Sequence, residues 1–325
     1  MTTLVAAPAA ELTLDAAAAA GTRLVAGALA DPSARIDTPE WVAAARAASA
    51  DLPAELRRAL REFRRDPGAS GSLLVRGLPV DPDAMPATPS VDGSVRRVPS
   101  LPAAVLMTAA GVLGDPAAFL AEKSGALVQD VVPVPGKEEF QGNAGSVDLS
   151  FHNENAFHPH RPDHILLLCV RPDHDRVAGL RTASVRRALP LLGDAARDLL
   201  GRPEFVTAAP PSFGSGGDAT APHPVLCGAP DDPDLRVDFA ATTPLTARAG
   251  AALDELREAL EAVATSTRLV PGDLAVVDNR IAVHGRTSFR PRYDGRDRWL
   301  LRTFVALDLR RSRSCRPDDG HVLHR

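Results

Sequence analysis

A chain of 325 residues, 45% hydrophobic and 24% charged, is long enough to bury a large core and lies outside the disordered and fibrous classes. Its 37 basic and 41 acidic residues give a formal net charge of -4 with no basic track, which argues against a nucleic-acid partner; the one basic cluster, Arg310, Arg311, Arg313 and Arg316, reads as a solvated tail. Three dispersed cysteines, Cys169, Cys227 and Cys315, give neither a disulfide framework nor a thiolate metal site and fit a reducing cytoplasm, and no apolar run is long enough to make the membrane a partner.

The Ala-rich first thirty residues lack a basic start and are interrupted by Glu11 and Asp15, so no signal peptide is read there. Thr38 and Pro39 form an N-cap with proline at the first helical position, and Leu56, Leu60 and Phe63 then recur at helical spacing before Asp66-Pro67-Gly68 stops the run. Two helices are expected here. A short strand, Leu73-Leu74-Val75, precedes a loop rich in proline, aspartate and serine from Pro79 to Pro102. No self-contained pattern begins after that loop, so one domain over 1–325 is expected, largely helical over 1–125. A helix from about Ala103 to Lys123 leads into a strand near 126–134, and short strands separated by proline and glycine then predict a β-rich core to residue 310. One amphipathic helix interrupts it, with Leu253, Leu256, Leu260 and Val263 on one face, suited to packing outside a sheet. No repeat of 20 to 50 residues is present.

The chemistry concentrates in three segments. In Phe151-His152-Asn153-Glu154, strand alternation turns His152 and Glu154 to one side, offering an imidazole and a carboxylate to one metal ion. Such a pair is two-thirds of a 2-His-1-carboxylate triad, the set that leaves adjacent positions open on non-haem Fe(II). The second histidine is assigned to His284, delivered by an apolar strand that breaks at Asp278-Asn279 and resumes. Fourteen residues on, Arg298 opens an alternating run to Arg302 on the same strand face, two guanidinium forks suited to two carboxylates. Strand parity alone leaves both arginines facing either inward or toward solvent. His158, His160, His164 and His174 read as loop residues, because prolines surround them and the triad takes two histidines only.

Three stretches, HNENAFHPHRPDHILLL from His152, PGDLAVVDNRIAVHGR from Pro271 and PRYDGRDRWLLR from Pro291, resemble the clavaminate synthase-like family of iron(II)/2-oxoglutarate oxygenases. The likeness is to the bacterial hydroxylases of arginine, asparagine, lysine and citrulline, and runs from about Leu73 to Leu309. It implies a double-stranded β-helix, or jelly roll, core over 126–310 with flanking helices, and a dioxygenase that uses Fe(II), 2-oxoglutarate and O2. His152, Glu154 and His284 become the implied iron ligands, Glu154 matching a glutamate that is a trait of this family. Arg298, assisted by Thr182, would hold the distal carboxylate of 2-oxoglutarate. Arg302 would hold the substrate α-carboxylate and Glu122 its α-amino group, with Asn143 a polar contact and Asp238 the receiver of a nitrogen-bearing side-chain end.

Two departures bear on the substrate. Arg236 stands where arginine hydroxylases carry a second acid, and Asp218 is the one acid in a glycine-rich segment, 210–224, that reads as a lid. The substrate expected is a free L-amino acid with a nitrogen-bearing side chain, hydroxylated at the β or γ carbon, with citrulline or arginine ahead of asparagine or lysine. Antibiotic or other specialised-metabolite biosynthesis is the expected setting. Rival readings are a desaturase or cyclase on the same fold and a non-catalytic metal-binding jelly roll; a zinc hydrolase lacks an evident general base.

Overall fold

The computed structural model describes residues 10–213 and 219–324. Among them, two β-sheets face each other and helices cover both outer faces. The larger sheet runs Ala10–Thr13, Ser72–Arg76, Leu274–Asp278, His164–Arg171, Trp299–Ala306, Asp115–Phe119 and Val322–Leu323, with Val128–Val131 also paired to Trp299–Ala306. The smaller runs Thr265–Arg268, Gly179–Ser184, Ala282–Arg286 and Leu149–His152. This is the expected jelly roll with flanking helices.

Side-chain alternation explains the layers. In the unbroken apolar run His164–Arg171, Leu166, Leu168 and Val170 join the core beneath the N-terminal helices, while Ile165, Leu167 and Cys169 fill the space between the sheets. The strand has no polar face because neither of its faces meets water. Trp299, Leu301 and Val305 likewise point out toward the helices, leaving Leu300 and Phe304 inside. Leu253, Leu256, Leu260 and Val263 of the helix Ala247–Val263 form a third core, against Ala183 and Val283 of the smaller sheet, as its pattern predicts.

Both expected N-terminal helices form, as Pro39–Ala48 and Ala54–Arg65, the first capped by the Thr38 hydroxyl, which accepts from Trp41 N. An unexpected helix, Ala16–Gly27, precedes them, and Asp15, read above as a break in an apolar run, is its N-cap. The helix expected from Ala103 to Lys123 spans only Leu101–Leu113. Gly114 stops it where the chain passes so close to the strand Trp299–Ala306 that a Cβ would lie 2.6 Å from Ala306 O. Asp115–Phe119 then continues as a strand, so Glu122 sits after that strand, at the N-cap of a short 3-10 helix, Lys123–Gly125, and not at the end of the long helix. No described helix is long and apolar enough to cross a membrane.

One buried side chain makes stability depend on pH. His164 is 0% exposed, and burial holds its pKa below the ordinary value despite Asp278 3.7 Å away. Between about pH 7 and 5 the unfolded chain takes up a proton there that the folded protein resists, so this histidine lowers stability as the medium is acidified. His164→Leu is expected to flatten the acid-side fall in melting temperature; an equally steep fall would assign the loss to other groups.

Candidate active site

The strands Leu149–His152 and Ala282–Arg286 are antiparallel neighbours with His152 directly opposite His284, their rings 4.3 Å apart. Thr182 lies opposite His284 on its other side. Glu154 arrives by a route the alternation argument did not anticipate. Its strand ends at His152, and a turn with Asn155 at φ 52° folds the carboxylate back until Glu154 Oε2 is 3.7 Å from His284 Nε2. One ligand atom from each of the three side chains lies within 4.8 Å of the others.

The donor atoms at that point suit a metal ion. His152 Nδ1 sits 2.9 Å from Ser150 O, which places its proton there and leaves the Nε2 lone pair available. His284 is held well below the usual histidine pKa by burial, then by His152 and Arg302, and its Nδ1 is buried without a partner. Two imidazoles on adjacent strands and one carboxylate on the turn that follows fit the donor set of a non-haem ferrous ion. A second group, His174 with Asp294 and Asp297, also gathers three ligand atoms, but its carboxylates already accept Arg296 N and Arg292 N. His158 packs edge-on against Phe119, so the extra histidines stay outside the triad.

Residues not singled out from sequence hold the turn that carries Glu154. Asn279 Oδ1 accepts Glu154 N at 2.7 Å, and Asn279 Nδ2 donates to Glu154 O at 3.0 Å and to Pro162 O at 2.9 Å. Asn153 Nδ2 donates to Asn279 O and Ala282 O, while its Oδ1 accepts Val237 N. Both amides are buried and satisfied, as a buried polar network must be. The signal in the sequence was the strand break at Asp278-Asn279 itself, which was read only as a break.

Beside the triad lies a cavity of about 560 Å³, lined among others by Glu122, Asn143, Phe157, Phe213, Asp238 and Arg302. Arg302 is 2% exposed; it donates from Nη1 to Glu154 Oε2 at 2.9 Å, from Nε to Gln129 Oε1 at 3.1 Å, and from Nη2 to Glu122. Asn143, with its amide turned to satisfy its bonds, accepts from both Arg302 terminal nitrogens at 3.0 and 3.1 Å. Burial pushes the Glu122 carboxyl up, Arg302 pulls it down and Glu154 pushes it up again. Asp238 pairs with His152 across a β-bridge and accepts Ala240 N through Oδ1.

Three other expected site residues sit differently. Arg236 does not line the cavity; its guanidinium donates to Ala156 O at 2.6 Å and Phe157 O at 3.1 Å, so it does not present a repelling charge to substrate. Asp218 and the middle of the expected lid lie outside the described residues. Thr182 is buried and shares a hydrogen bond with Thr265 Oγ1 at 3.1 Å.

Arg298 immediately precedes the strand Trp299–Ala306, where a register shift against His164–Arg171 falls between Trp299 and Leu300. It is 6% exposed, lies 5.7 Å from the Phe289 ring, and makes no hydrogen bond or ion pair with any described residue. Arg286, also missed from sequence, lies 5.4 Å from the same ring; burial, then Arg298, pulls its pKa down to about 9.

Comparison with known proteins adds independent support. The model of the taurine catabolism dioxygenase TauD, TfdA family matches residues 37–304. The chain is 63% identical over 289 residues to the L-asparagine oxygenase of Streptomyces coelicolor, covering 89% of this chain and 87% of that protein. It is 34% identical to clavaminate synthase 2 of Streptomyces clavuligerus, over 84% and 86% of the two chains. A crystal structure of asparagine oxygenase with Fe(II), 2S,3S-3-hydroxyasparagine and succinate superposes with a TM-score of 0.95 at 60% identity, covering 97% of this chain and 99% of that one. A non-heme iron oxygenase crystallised with Fe and alpha-ketoglutaric acid gives 0.87 at 30% identity, over 96% and 99%. With a two-histidine, one-carboxylate cluster at the mouth of a jelly roll and a family match over most of its length, the chain belongs to the TauD/TfdA family of dioxygenases.

Proposed function

We propose that this iron(II)- and 2-oxoglutarate-dependent oxygenase hydroxylates free L-asparagine at its β carbon, with His152, Glu154 and His284 holding the iron. The observation that carries the reading is the contact of one buried arginine with both a candidate iron ligand and an acid facing the cavity, Arg302 with Glu154 and Glu122. That arrangement complements an α-amino acid zwitterion, a cation for the carboxylate and an anion for the ammonium. Because Arg302 touches Glu154 directly, a carboxylate held there brings the α and β carbons, not the distal atoms, nearest the metal.

Bound ferrous iron, with 2-oxoglutarate and O2, supplies the oxidising power to insert one oxygen atom into an unactivated C–H bond, releasing succinate and carbon dioxide. The chain's residues supply position. Arg302 and Asn143 orient the substrate carboxylate, Glu122 accepts from its ammonium, and Asp238 accepts an N–H of the side-chain amide through the oxygen that Ala240 N leaves open. Phe157 and Phe213, packed edge to face at 4.7 Å, keep water from the cavity wall. Arg298 anchors the distal carboxylate of 2-oxoglutarate and Thr182 assists.

The charge argument that set citrulline or asparagine against arginine leaned on Arg236 facing the substrate; with that guanidinium turned to backbone carbonyls, it no longer counts against arginine. Identity of 63% to an L-asparagine oxygenase favours the carboxamide. The product is a hydroxy amino acid of the kind built into specialised metabolites, antibiotics included. A panel of asparagine, citrulline, arginine, ornithine and lysine, incubated with Fe(II), 2-oxoglutarate and O2 and read by mass, is expected to show one added oxygen on asparagine first. Loss of two hydrogens would instead indicate a desaturase or cyclase, and no consumption of 2-oxoglutarate with any member would indicate a non-catalytic binding protein.

A further inference from the structure

Arg286 stands two residues beyond His284 on one strand, and residues two apart share a face. The structure bears this out, for its cross-strand partner is Leu180, whose side chain belongs to the core between the sheets. Arg286 is therefore directed into the barrel, on the same side as the candidate metal centre, and is 4% exposed. Its hydrogen bonding is incomplete. Nη2 donates to Val147 O at 3.0 Å, but Nε is buried with no partner.

The nearest acids do not neutralise it. Asp148 is exposed and accepts Ser288 N, and Asp173, the acid closest in influence to Arg298, accepts Val177 N and Ala178 N. Two guanidiniums thus sit at one aromatic ring, 5.4 and 5.7 Å from its centre, with no ion pair to any described residue. A buried like-charged pair without a counter-anion is a costly arrangement, and it becomes favourable when an anion is bound between the two charges. Because Arg286 shares a strand face with His284, the far end of a 2-oxo acid chelating a metal there would be directed toward these charges, and only a dicarboxylate would carry charge at that end.

We propose that Arg286 is a second cationic anchor for the distal carboxylate of 2-oxoglutarate, acting beside Arg298 and selecting dicarboxylic over monocarboxylic 2-oxo acids. The inference rests on the oxygenase reading above and on the assignment of Arg298 to that carboxylate.

The test is anaerobic titration of the Fe(II)-loaded protein with 2-oxoglutarate and with 2-oxopentanoate, which replaces the distal carboxylate with a methyl group, followed by calorimetry. Arg286→Gln is expected to weaken 2-oxoglutarate binding by about ten- to a hundredfold and 2-oxopentanoate by less than about twofold. Arg286→Lys, which keeps the charge and one donor, is expected to recover part of the loss and serves if the glutamine variant does not fold. Unchanged 2-oxoglutarate binding in both variants overturns the proposal. Equal weakening of both ligands also overturns it, because the arginine would then only brace the barrel. Failure of the unsubstituted protein to bind 2-oxoglutarate sinks the oxygenase reading itself, an outcome distinct from either.

Discussion

Arg302→Met is expected to lower kcat/KM for the amino-acid substrate by about a thousandfold, with 2-oxoglutarate binding at saturating Fe(II) unchanged within about twofold. Methionine fills much of the same volume without a charge, so the effect isolates the guanidinium. In the folded protein that group lies between Glu154 and Glu122 and also binds Gln129. Removing it leaves two carboxylates facing each other in a buried site, and breaking a buried pair from one side costs about 3–5 kcal/mol. Part of that cost is relieved by protonation of Glu122, whose carboxyl burial already pushes up. A protonated Glu122 no longer attracts an ammonium, so both ends of the zwitterion lose their partner together. Steady-state kinetics across a substrate series, with iron content and melting temperature recorded alongside, checks this. A drop of less than about tenfold would mean that the substrate carboxylate is held elsewhere.

The fold was legible where side-chain period was unambiguous. Leu56, Leu60 and Phe63, or Leu253 through Val263, admit one amphipathic helix each, and both form. It was illegible where composition was uniform. The Ala-rich segment after Asp15 has no clear period to distinguish an unanchored tail from a docked helix, and the apolar run from Ala103 is hydrophobic all round, so no face marked its end. Only the close approach at Gly114, a tertiary fact, ended it.

The site divides in the same way. His152, His284 and the arginines could be named because chemistry restricts a metal ligand or a carboxylate anchor to few residue types. Arg302 was read with two possible orientations, and the structure selects the inward one because Trp299, Leu301 and Val305 are needed against the helices. Arg236 was set beside the substrate from the resemblance alone, which gives a position along the chain and not the path of a long side chain that folds back onto Ala156 O. Asn279 was passed over because an asparagine at a strand break is ordinarily a turn former.

That asparagine leads to the second large effect. Asn279→Ala is expected to weaken anaerobic Fe(II) binding by about ten- to a hundredfold and to cost about 3 kcal/mol or more of folding stability. The amide is 0% exposed and makes three hydrogen bonds, two of them to the peptide groups of Glu154. Alanine leaves Glu154 N, Glu154 O and Pro162 O buried without those partners, each at about 1–3 kcal/mol. The turn that follows His152 then has no reason to keep Asn155 in its left-handed conformation, and Glu154 loses the fixed distance to His284 on which a shared ion depends. Stability and metal affinity separate experimentally, because a merely destabilised protein assayed far below its melting temperature stays folded and binds iron as before. Isothermal titration of Fe(II) without oxygen, well below the unfolding transition, is therefore the deciding measurement, and turnover should recover as iron is raised. Wild-type iron affinity in a variant that melts early would reduce Asn279 to a fastener between strands and leave the placement of Glu154 to Arg302 alone.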